Sequence, residues 1–315
     1  MKVFIADKTD SICEKTLKSR GIDAVYKPGL KADELKKEIA DSEGLIVRSA
    51  TKVTADIVEA AKKLRAVVRA GSGVDTIDVN ACTAKKILVM NTPFGNIVST
   101  AEHAVALMFA LARHIPQANV STHSGKWEKN KFEGVEITGK TLGIVGCGNV
   151  GSIVADRAKG LKMNVLVYDP VIGVEKANTM GVKLVTLDEL YSKSDFITFH
   201  VTLNDKTRNM VNKETIAKMK KGVRIINCSR GAIFVEEDVK AALESGHIAG
   251  LAVDVYAKEP ATENIFFGMD KVIATPHIAA STKDAQIAVA KQAAEQIADY
   301  LLTGKKTHSV NGDKI

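Results

Sequence analysis

Residues 143–152 read GIVGCGNVGS, with Gly146, Gly148 and Gly151 in G-x-G-x-x-G spacing. Alone, that spacing is a weak signal, because it also occurs in ordinary glycine-rich turns. The flanks give it weight. The apolar run TLGIVG precedes it and the helical run SIVADRAKGLK follows it. A second apolar run, NVLVYD, ends in Asp169, 18 residues beyond Gly151. Strand, glycine turn, helix and second strand, closed by an acid about 20 residues on, form a dinucleotide-binding βαβ unit. Gly146 permits the tight turn, Gly148 lets the backbone approach a pyrophosphate, and Gly151 packs helix on strand. The helix amino terminus then faces the phosphates. Asp169 accepts hydrogen bonds from the adenosine ribose, and its charge repels a 2′-phosphate. The expected cofactor is NAD rather than NADP.

Outward from this unit the same alternation continues. KVFIAD, GLIVRS, AVVRAG, ILVMNT, FITFHV, RIINCS, AGLAVDVY and VIATPH are further strand candidates, separated by amphipathic stretches such as ADELKKEIADS and TADIVEAAKKL. Such alternation indicates an α/β protein with parallel sheets. Pro and Gly punctuate the pattern at NTPFGN, residues 91–96, and a long apolar helix follows over roughly 99–115. In the closing segment, Ser281 with Asp284 offers a capping box and Gly304 a stop. The expected division is residues 1–94 plus 284–315 as one domain and 95–283 as the other.

Bulk properties bound the function. A chain of 315 residues, 45% hydrophobic and 26% charged, can build two substantial cores. The net charge of +7 comes from lysines spread along the chain, which reads first as a solvated surface and second as attraction for small anions. With one Trp and five Tyr there is little for nucleic-acid bases to stack on. The opening MKVFIADKTD reads as a first strand, its apolar run too short for a signal peptide or membrane span. Cys13, Cys82, Cys147 and Cys228 form no CxxC pair, so free thiols in a reducing cytoplasm are expected.

The stretch RIINCSRGAIF, residues 224–234, ends a core strand and then presents Arg230 followed by Gly231. A guanidinium there is costly to desolvate unless an anion meets it. Hydride transfer also needs a side chain to carry a proton, and histidine suits that task. His103, His114 and His123 lie in or just after the long helix, His247 reads as a helix carboxyl-terminal residue, and His308 sits in a polar tail. His200 and His277 both end strands, where ligands of open α/β sheets bind. Periodicity does not separate these two. Carboxylates at similar positions are Asp195, Asp254 and Glu259.

The stretches GLIVRSATKVTADIV, RAGSGVDTIDV, VMNTPFGN, GKWEKNKFEG, GKTLGIVGCGNVGS, YDP, KKGVRIINCSRG, DVYAKEP and TPHIAAST together resemble the D-isomer-specific 2-hydroxyacid dehydrogenases. Within that family the first two stretches and GKWEKNKF look most like the phosphoglycerate branch. The resemblance implies a flavodoxin-like substrate domain and a NAD-binding Rossmann domain with the cleft between them. The family's catalytic arginine falls on Arg230, its acid on Glu259 and its histidine on His277. Arg230 then meets the substrate carboxylate and C2 oxygen, His277 takes the hydroxyl proton, and Glu259 holds the imidazole. Cofactor contacts are implied for Ser72, Asn149, Val150, Asp169, Val201, Cys228, Ser229 and Asp254, with His277, Ile278, Ala279 and Ala280 closing over the cofactor. Asn149 stands where relatives often carry Arg, and Ala279 where many carry Gly. The amides of Ser72, Gly73 and Val74 cradle the carboxylate, while Arg48 and Lys131 hold a phosphate, Lys131 from a partner subunit. No metal is implied. A homodimer through the NAD-binding domain is, with the long helix and the GKWEKNKF loop at its interface. The resemblance also implies a short form without the carboxyl-terminal regulatory domain of longer members, and hence no serine feedback. Two other readings fit the same motifs: a hydroxypyruvate or glyoxylate reductase, and a NAD-sensing interaction protein like the C-terminal-binding corepressors.

Overall fold

The computed structural model describes residues 1–315. The chain divides into two compact units, Met1–Ile97 with Ser281–Ile315, and Val98–Ala280. The first unit therefore takes in residues 95–97 and 281–283, which the sequence reading had assigned to the second. Its contacts explain this: Gly95 packs so closely on the closing helix that a Cβ there would fall 2.6 Å from a Val289 methyl carbon, and Thr282 caps that helix.

The first unit contains β1 (Lys2–Ile5), α1 (Ile12–Ser19), β2 (Asp23–Tyr26), α2 (Ala32–Glu38), β3 (Gly44–Val47), α3 (Ala55–Ala60), β4 (Ala66–Arg69), α4 (Val79–Ala84) and β5 (Leu88–Asn91). Its strands run parallel in the order β2-β1-β3-β4-β5, the doubly wound flavodoxin-like arrangement. Helices cover both faces, so the central strands are apolar throughout rather than alternating. Val3, Ile5, Ile46, Val68 and Met90 face one side, while Phe4, Leu45, Val47, Val67 and Val89 face the other. The closing helix, Lys283–Thr303, lays Ala290, Ala293, Ala294 and Ile297 on the first of these sides. Its cap is Thr282, which accepts from the Ala285 amide at 3.1 Å, rather than the expected Ser281 box. Thr282 is the residue with extended backbone immediately before the helix, so its hydroxyl is the one that reaches. Gly304 ends the helix at φ +76°.

The tail beyond it is not loose. Asn311 is buried, accepts from the Val89 amide at 2.8 Å, and donates to Thr83 Oγ1 at 2.9 Å and Ile87 O at 3.0 Å. Removing such a side chain strands buried backbone groups, each costing about 1–3 kcal/mol.

The second unit contains α5 (Ile97–Arg113), α6 (Ile115–His123), β6 (Thr141–Val145), α7 (Asn149–Gly160), β7 (Asn164–Tyr168), α8 (Val174–Thr179), β8 (Lys183–Leu184), α9 (Leu187–Lys193), β9 (Phe196–Phe199), α10 (Lys213–Ala217), β10 (Val223–Asn227), α11 (Glu236–Glu244), β11 (Ile248–Val253) and β12 (Val272–Ala274). The parallel order β12-β11-β10-β9-β6-β7-β8 is the Rossmann order with one added strand, and it reverses between β6 and β9. Helices α5 and α7 cover one face through Leu107, Met108, Val154 and Ala158. Helices α9 and α11 cover the other through Leu190, Tyr191, Val239 and Leu243. The long helix expected over 99–115 stops at Arg113, because His114 turns left-handed at φ +53° and α6 restarts with Pro116 in its first turn.

His200 leaves β9 at this switch point. Its Nε2 lies 2.9 Å from Thr198 Oγ1, and its carbonyl oxygen sits 2.6 Å from where a Cβ on Gly146 would be. Burial pushes its pKa down to about 4. The unfolded chain, near 6.5, then binds the proton more readily than the folded one, so stability is lost as pH falls from about 6.5 toward 4. The full shift corresponds to an order of 3 kcal/mol. His200→Gln, which keeps a polar atom near the Nε2 position, should lose roughly 1–2 kcal/mol less between pH 7 and pH 5 in urea melts. Parallel losses in the two proteins would show that His200 is not the proton acceptor.

Candidate active site

At the end of β6 the backbone turns through Gly146 at φ +88°, a region that side chains rarely adopt. A Cβ on Gly151 would lie 2.1 Å from the Gly146 oxygen, so α7 can press against this turn only with glycine there. A Cβ on Gly148 would meet nothing within 4 Å, which leaves the turn's outer side open for close approach. Asn149 is exposed at the start of α7, and Val150 and Val201 are partly buried beside the turn.

Asp169 follows β7. Its Oδ2 accepts from the Cys147 amide at 2.7 Å, and its Oδ1 from the amides of Val171 at 2.8 Å and Ile172 at 3.2 Å. A carboxylate offers about four acceptor positions, so one remains for a ribose hydroxyl. Glycine turn, helix amino terminus and partly exposed carboxylate therefore fit a dinucleotide.

Three further strand ends of this unit carry Arg230, Glu259 and His277. At the end of β10, Asn227 wraps the next turn: its Oδ1 accepts from Ser229 N at 3.0 Å and Ser229 Oγ at 2.8 Å, and its Nδ2 donates to Arg230 O at 3.0 Å. Cys228 and Ser229 are thereby buried, and the partly buried Arg230 donates from Nη1 to Ser229 O at 2.7 Å. Gly231 follows because a Cβ there would fall 1.9 Å from the Tyr256 carbonyl carbon. That contact sets the Arg230 turn against the loop after β11.

In that loop Glu259 Oε2 lies 2.6 Å from His277 Nδ1, and Glu259 Oε1 accepts from the Tyr256 amide at 3.0 Å. Burial raises the Glu259 pKa, but the bonds from His277 and Tyr256 outweigh it and hold the carboxyl below its usual range. His277 follows β12 with φ +54°, left-handed for a non-glycine residue. Such conformations cluster at functional sites and persist only where surrounding bonds impose them. Nδ1 faces the carboxylate, which leaves Nε2 as the ring nitrogen for a ligand.

Asp254 was expected at the cofactor surface, but here it is 0% exposed. Its Oδ1 accepts from Thr275 Oγ1 at 2.6 Å and Ile278 N at 2.8 Å, and its Oδ2 accepts from Ala279 N at 2.8 Å. It shapes the segment after His277 from behind. There Ile278 is exposed, Ala279 buried and Ala280 partly buried. Burial opposes its ionisation, yet hydrogen bonds from His103, Thr275 and these two amides keep its pKa lowered. His103 is the group that sequence reasoning missed: on α5 it has apolar neighbours and reads as part of a core helix.

The other candidates fall elsewhere. Asp195 precedes β9, at the amino edge of the sheet, and pairs with Lys220 at 2.6 Å. His247 lies past the end of α11 and contacts Met219 O at 3.1 Å rather than ending that helix. In the first unit, Asp7 is 3% exposed and accepts from the amides of Arg48 and Thr51 and from Thr51 Oγ1, the last at 2.7 Å. Arg48 Nη1 donates to Lys8 O at 2.8 Å, and burial lowers the guanidinium pKa against the pull of Asp7. Ser72 Oγ donates to Asn96 Oδ1 at 2.7 Å, Gly73 O accepts from Arg69 Nη1 at 2.7 Å, and Val74 O accepts from the Ile77 amide at 2.9 Å. Lys131 stands in the second unit on a short 3-10 turn, exposed and paired with Glu128 at 2.7 Å.

A family model described as "D-isomer specific 2-hydroxyacid dehydrogenase, NAD binding domain" matches residues 105–279. The D-3-phosphoglycerate dehydrogenase of Homo sapiens is 46% identical over 314 residues, covering 100% of this chain and 59% of that protein. The D-3-phosphoglycerate dehydrogenase of Synechocystis is 47% identical over 310 residues, 98% of this chain and 56% of that protein. The chain thus spans less than two thirds of the length of these curated relatives. Among solved structures, the NAD+-bound 3-phosphoglycerate dehydrogenase of Entamoeba histolytica superimposes with a TM-score of 0.84 at 30% identity. That match covers 99% of this chain and 98% of the other. With a matching family model over more than half its length, the chain belongs to the D-isomer specific 2-hydroxyacid dehydrogenase family, and its second unit carries that family's NAD-binding domain.

Proposed function

We propose that this protein is a NAD-dependent D-2-hydroxyacid dehydrogenase that oxidises 3-phospho-D-glycerate to 3-phosphohydroxypyruvate, the entry to phosphorylated L-serine synthesis. The observation that carries the reaction class is the Glu259–His277 pair at 2.6 Å on the carboxyl edge of a Rossmann sheet. The likeness to D-3-phosphoglycerate dehydrogenases along the whole chain supports the substrate. NAD, when bound, supplies the acceptor for the hydride that leaves C2. His277 Nε2 takes the hydroxyl proton, and the Glu259 carboxylate, ionised through the neutral range, stabilises the imidazolium so formed. Arg230 pairs with the substrate carboxylate through its planar fork. His200, kept neutral by burial, stays out of this cycle.

Assembly and location belong to the same reading. Val98, Ile115, Val120 and Trp127 are exposed on and just after α5 and α6, Trp127 at 86%. A hollow of about 610 Å³ lies between Val105 and Phe109 of α5 and the end of α7. Apolar surface of this kind suits a second copy and supports a homodimer formed through the second unit. No helix is long and apolar enough to cross a membrane, and four free buried cysteines accord with a reducing cytoplasm.

A NAD-linked screen of 3-phosphoglycerate, glycerate, lactate, glyoxylate and hydroxypyruvate tests this directly. Phosphoglycerate should give the highest kcat/KM, and His277→Ala should cut turnover roughly 10²- to 10⁴-fold while NADH still binds. Preference for an unphosphorylated acid would replace the substrate assignment.

Asp169 sets cofactor choice. Because its carboxylate also holds three loop amides, Asp169→Asn is a better probe than alanine: it keeps the shape and one acceptor oxygen. NAD affinity should fall more than NADP affinity; equal losses would assign Asp169 to loop structure alone.

A phosphorylated acid brings about two extra negative charges, for which Arg48 and Lys131 are the cations proposed. Alanine at either position should impair phosphoglycerate oxidation far more than hydroxypyruvate reduction. If Lys131 acts on the partner's substrate, mixing Arg48→Ala with Lys131→Ala subunits restores up to half the activity. A verified heterodimer with no recovery would rule out the shared site.

A further inference from the structure

Helix α5 turns His103 toward the back of the His277 segment, where its Nε2 lies 3.2 Å from Thr275 Oγ1 and 3.5 Å from Asp254 Oδ1. The tautomer follows from the neighbours. The single Thr275 hydroxyl proton is donated to Asp254 at 2.6 Å, and an ionised carboxylate has none to give. Both groups facing Nε2 are therefore acceptors, and Nε2 carries the hydrogen. It donates chiefly to Thr275 Oγ1, with a longer arm to the carboxylate. From there the chain of bonds runs Thr275 to Asp254, and Asp254 to the amides of Ile278 and Ala279 at 2.8 Å each. Those amides directly follow the left-handed His277. Asp254 is fully buried, so removing a donor from its network leaves less compensated a charge that water does not reach. The His103 side chain, by contrast, is 19% exposed.

We propose that His103 is a positioning residue: through Thr275 and Asp254 it fixes the backbone that presents His277 for proton transfer. The proposal rests on the reading of His277 as the proton carrier, but its first test does not need activity. Hydrogen exchange over residues 276–281 is compared in the wild type, His103→Leu, His103→Asn and His103→Gln. Glutamine places an N–H near the position of Nε2, whereas asparagine is one bond too short. Exchange should quicken about tenfold in the leucine and asparagine variants and stay near wild type in the glutamine variant. If the leucine variant does not fold, the asparagine–glutamine pair decides. Unchanged exchange in leucine and asparagine variants, or equal acceleration in asparagine and glutamine, overturns the proposal.

The second arm measures kcat on the substrate that the wild type oxidises best. A misplacement near 1 Å can cost about 10²-fold in rate, so a roughly 10- to 100-fold fall is expected for asparagine, with most of it recovered by glutamine. Faster exchange with unchanged kcat would disconnect His103 from the reaction. A wild type that oxidises no D-2-hydroxy acid with NAD would instead fail the functional reading, leaving the exchange result to stand on its own.

Discussion

A carboxylate accepting backbone N–H groups at the carboxyl edge of a parallel sheet is the interaction on which the loops of the candidate site depend. The device appears three times. Asp7, just past β1, takes the amides of Arg48 and Thr51. Asp169, directly after β7, takes those of Cys147, Val171 and Ile172. Asp254, directly after β11, takes those of Ile278 and Ala279. Where a parallel strand ends, the next few amides lose their ladder partners and must be satisfied by something else. A strand-end aspartate has a backbone fixed by the sheet and several acceptor positions, so one side chain can order two neighbouring loops. Burying such a charge costs several kcal/mol unless its lone pairs are used. At Asp254 they are used by a hydroxyl and two amides, with an imidazole alongside.

The two ends of the Rossmann unit solve different problems with this device. At the dinucleotide turn the constraint is steric, since Gly146 and Gly151 leave no room between turn and helix, and Asp169 only fastens the result. At the Glu259–His277 end the constraint is electrostatic. His277 adopts a backbone conformation that costs about 1–3 kcal/mol for a non-glycine residue. It is held by bonds on two sides: Glu259 on its ring and Asp254 on the amides that follow. A ring fixed at Nδ1 and at its backbone can turn only one nitrogen outward.

Much of the fold was legible because the central strands are apolar on both faces. Ten strands stand in the sequence as apolar runs bounded by polar or glycine residues. Two did not. The residues of β2 are polar or half exposed at a sheet edge, and β8 is only two residues long. Hydrophobic pattern carries no signal for segments that bury little. The glycine turn was legible from spacing and flanks together. His103 was not, since its position on a largely apolar helix hides a hydrogen bond to Thr275, 172 positions away. Asp7 and Asn311 were hidden for the same reason, their partners being amides brought close only by the sheet. Periodicity left His200 and His277 equivalent. They differ in surroundings: one sits against Thr198 with its proton affinity depressed, the other against a carboxylate.

On the proposed reading, the two cations for a substrate phosphate are prepared unequally. Arg48 is preorganised. Its amide is fixed by Asp7, its guanidinium by Lys8 O, and its partial burial leaves an anion as its best remaining partner. Lys131 is instead engaged with Glu128 in an exposed pair, and such pairs contribute about 0–1 kcal/mol. A phosphate with nearly twice the charge and three acceptor oxygens displaces a single surface carboxylate at little cost. On that reading Arg48 sets where the phosphate sits. Lys131 adds charge there only after exchanging its partner, so its contribution should weaken with salt sooner than that of Arg48.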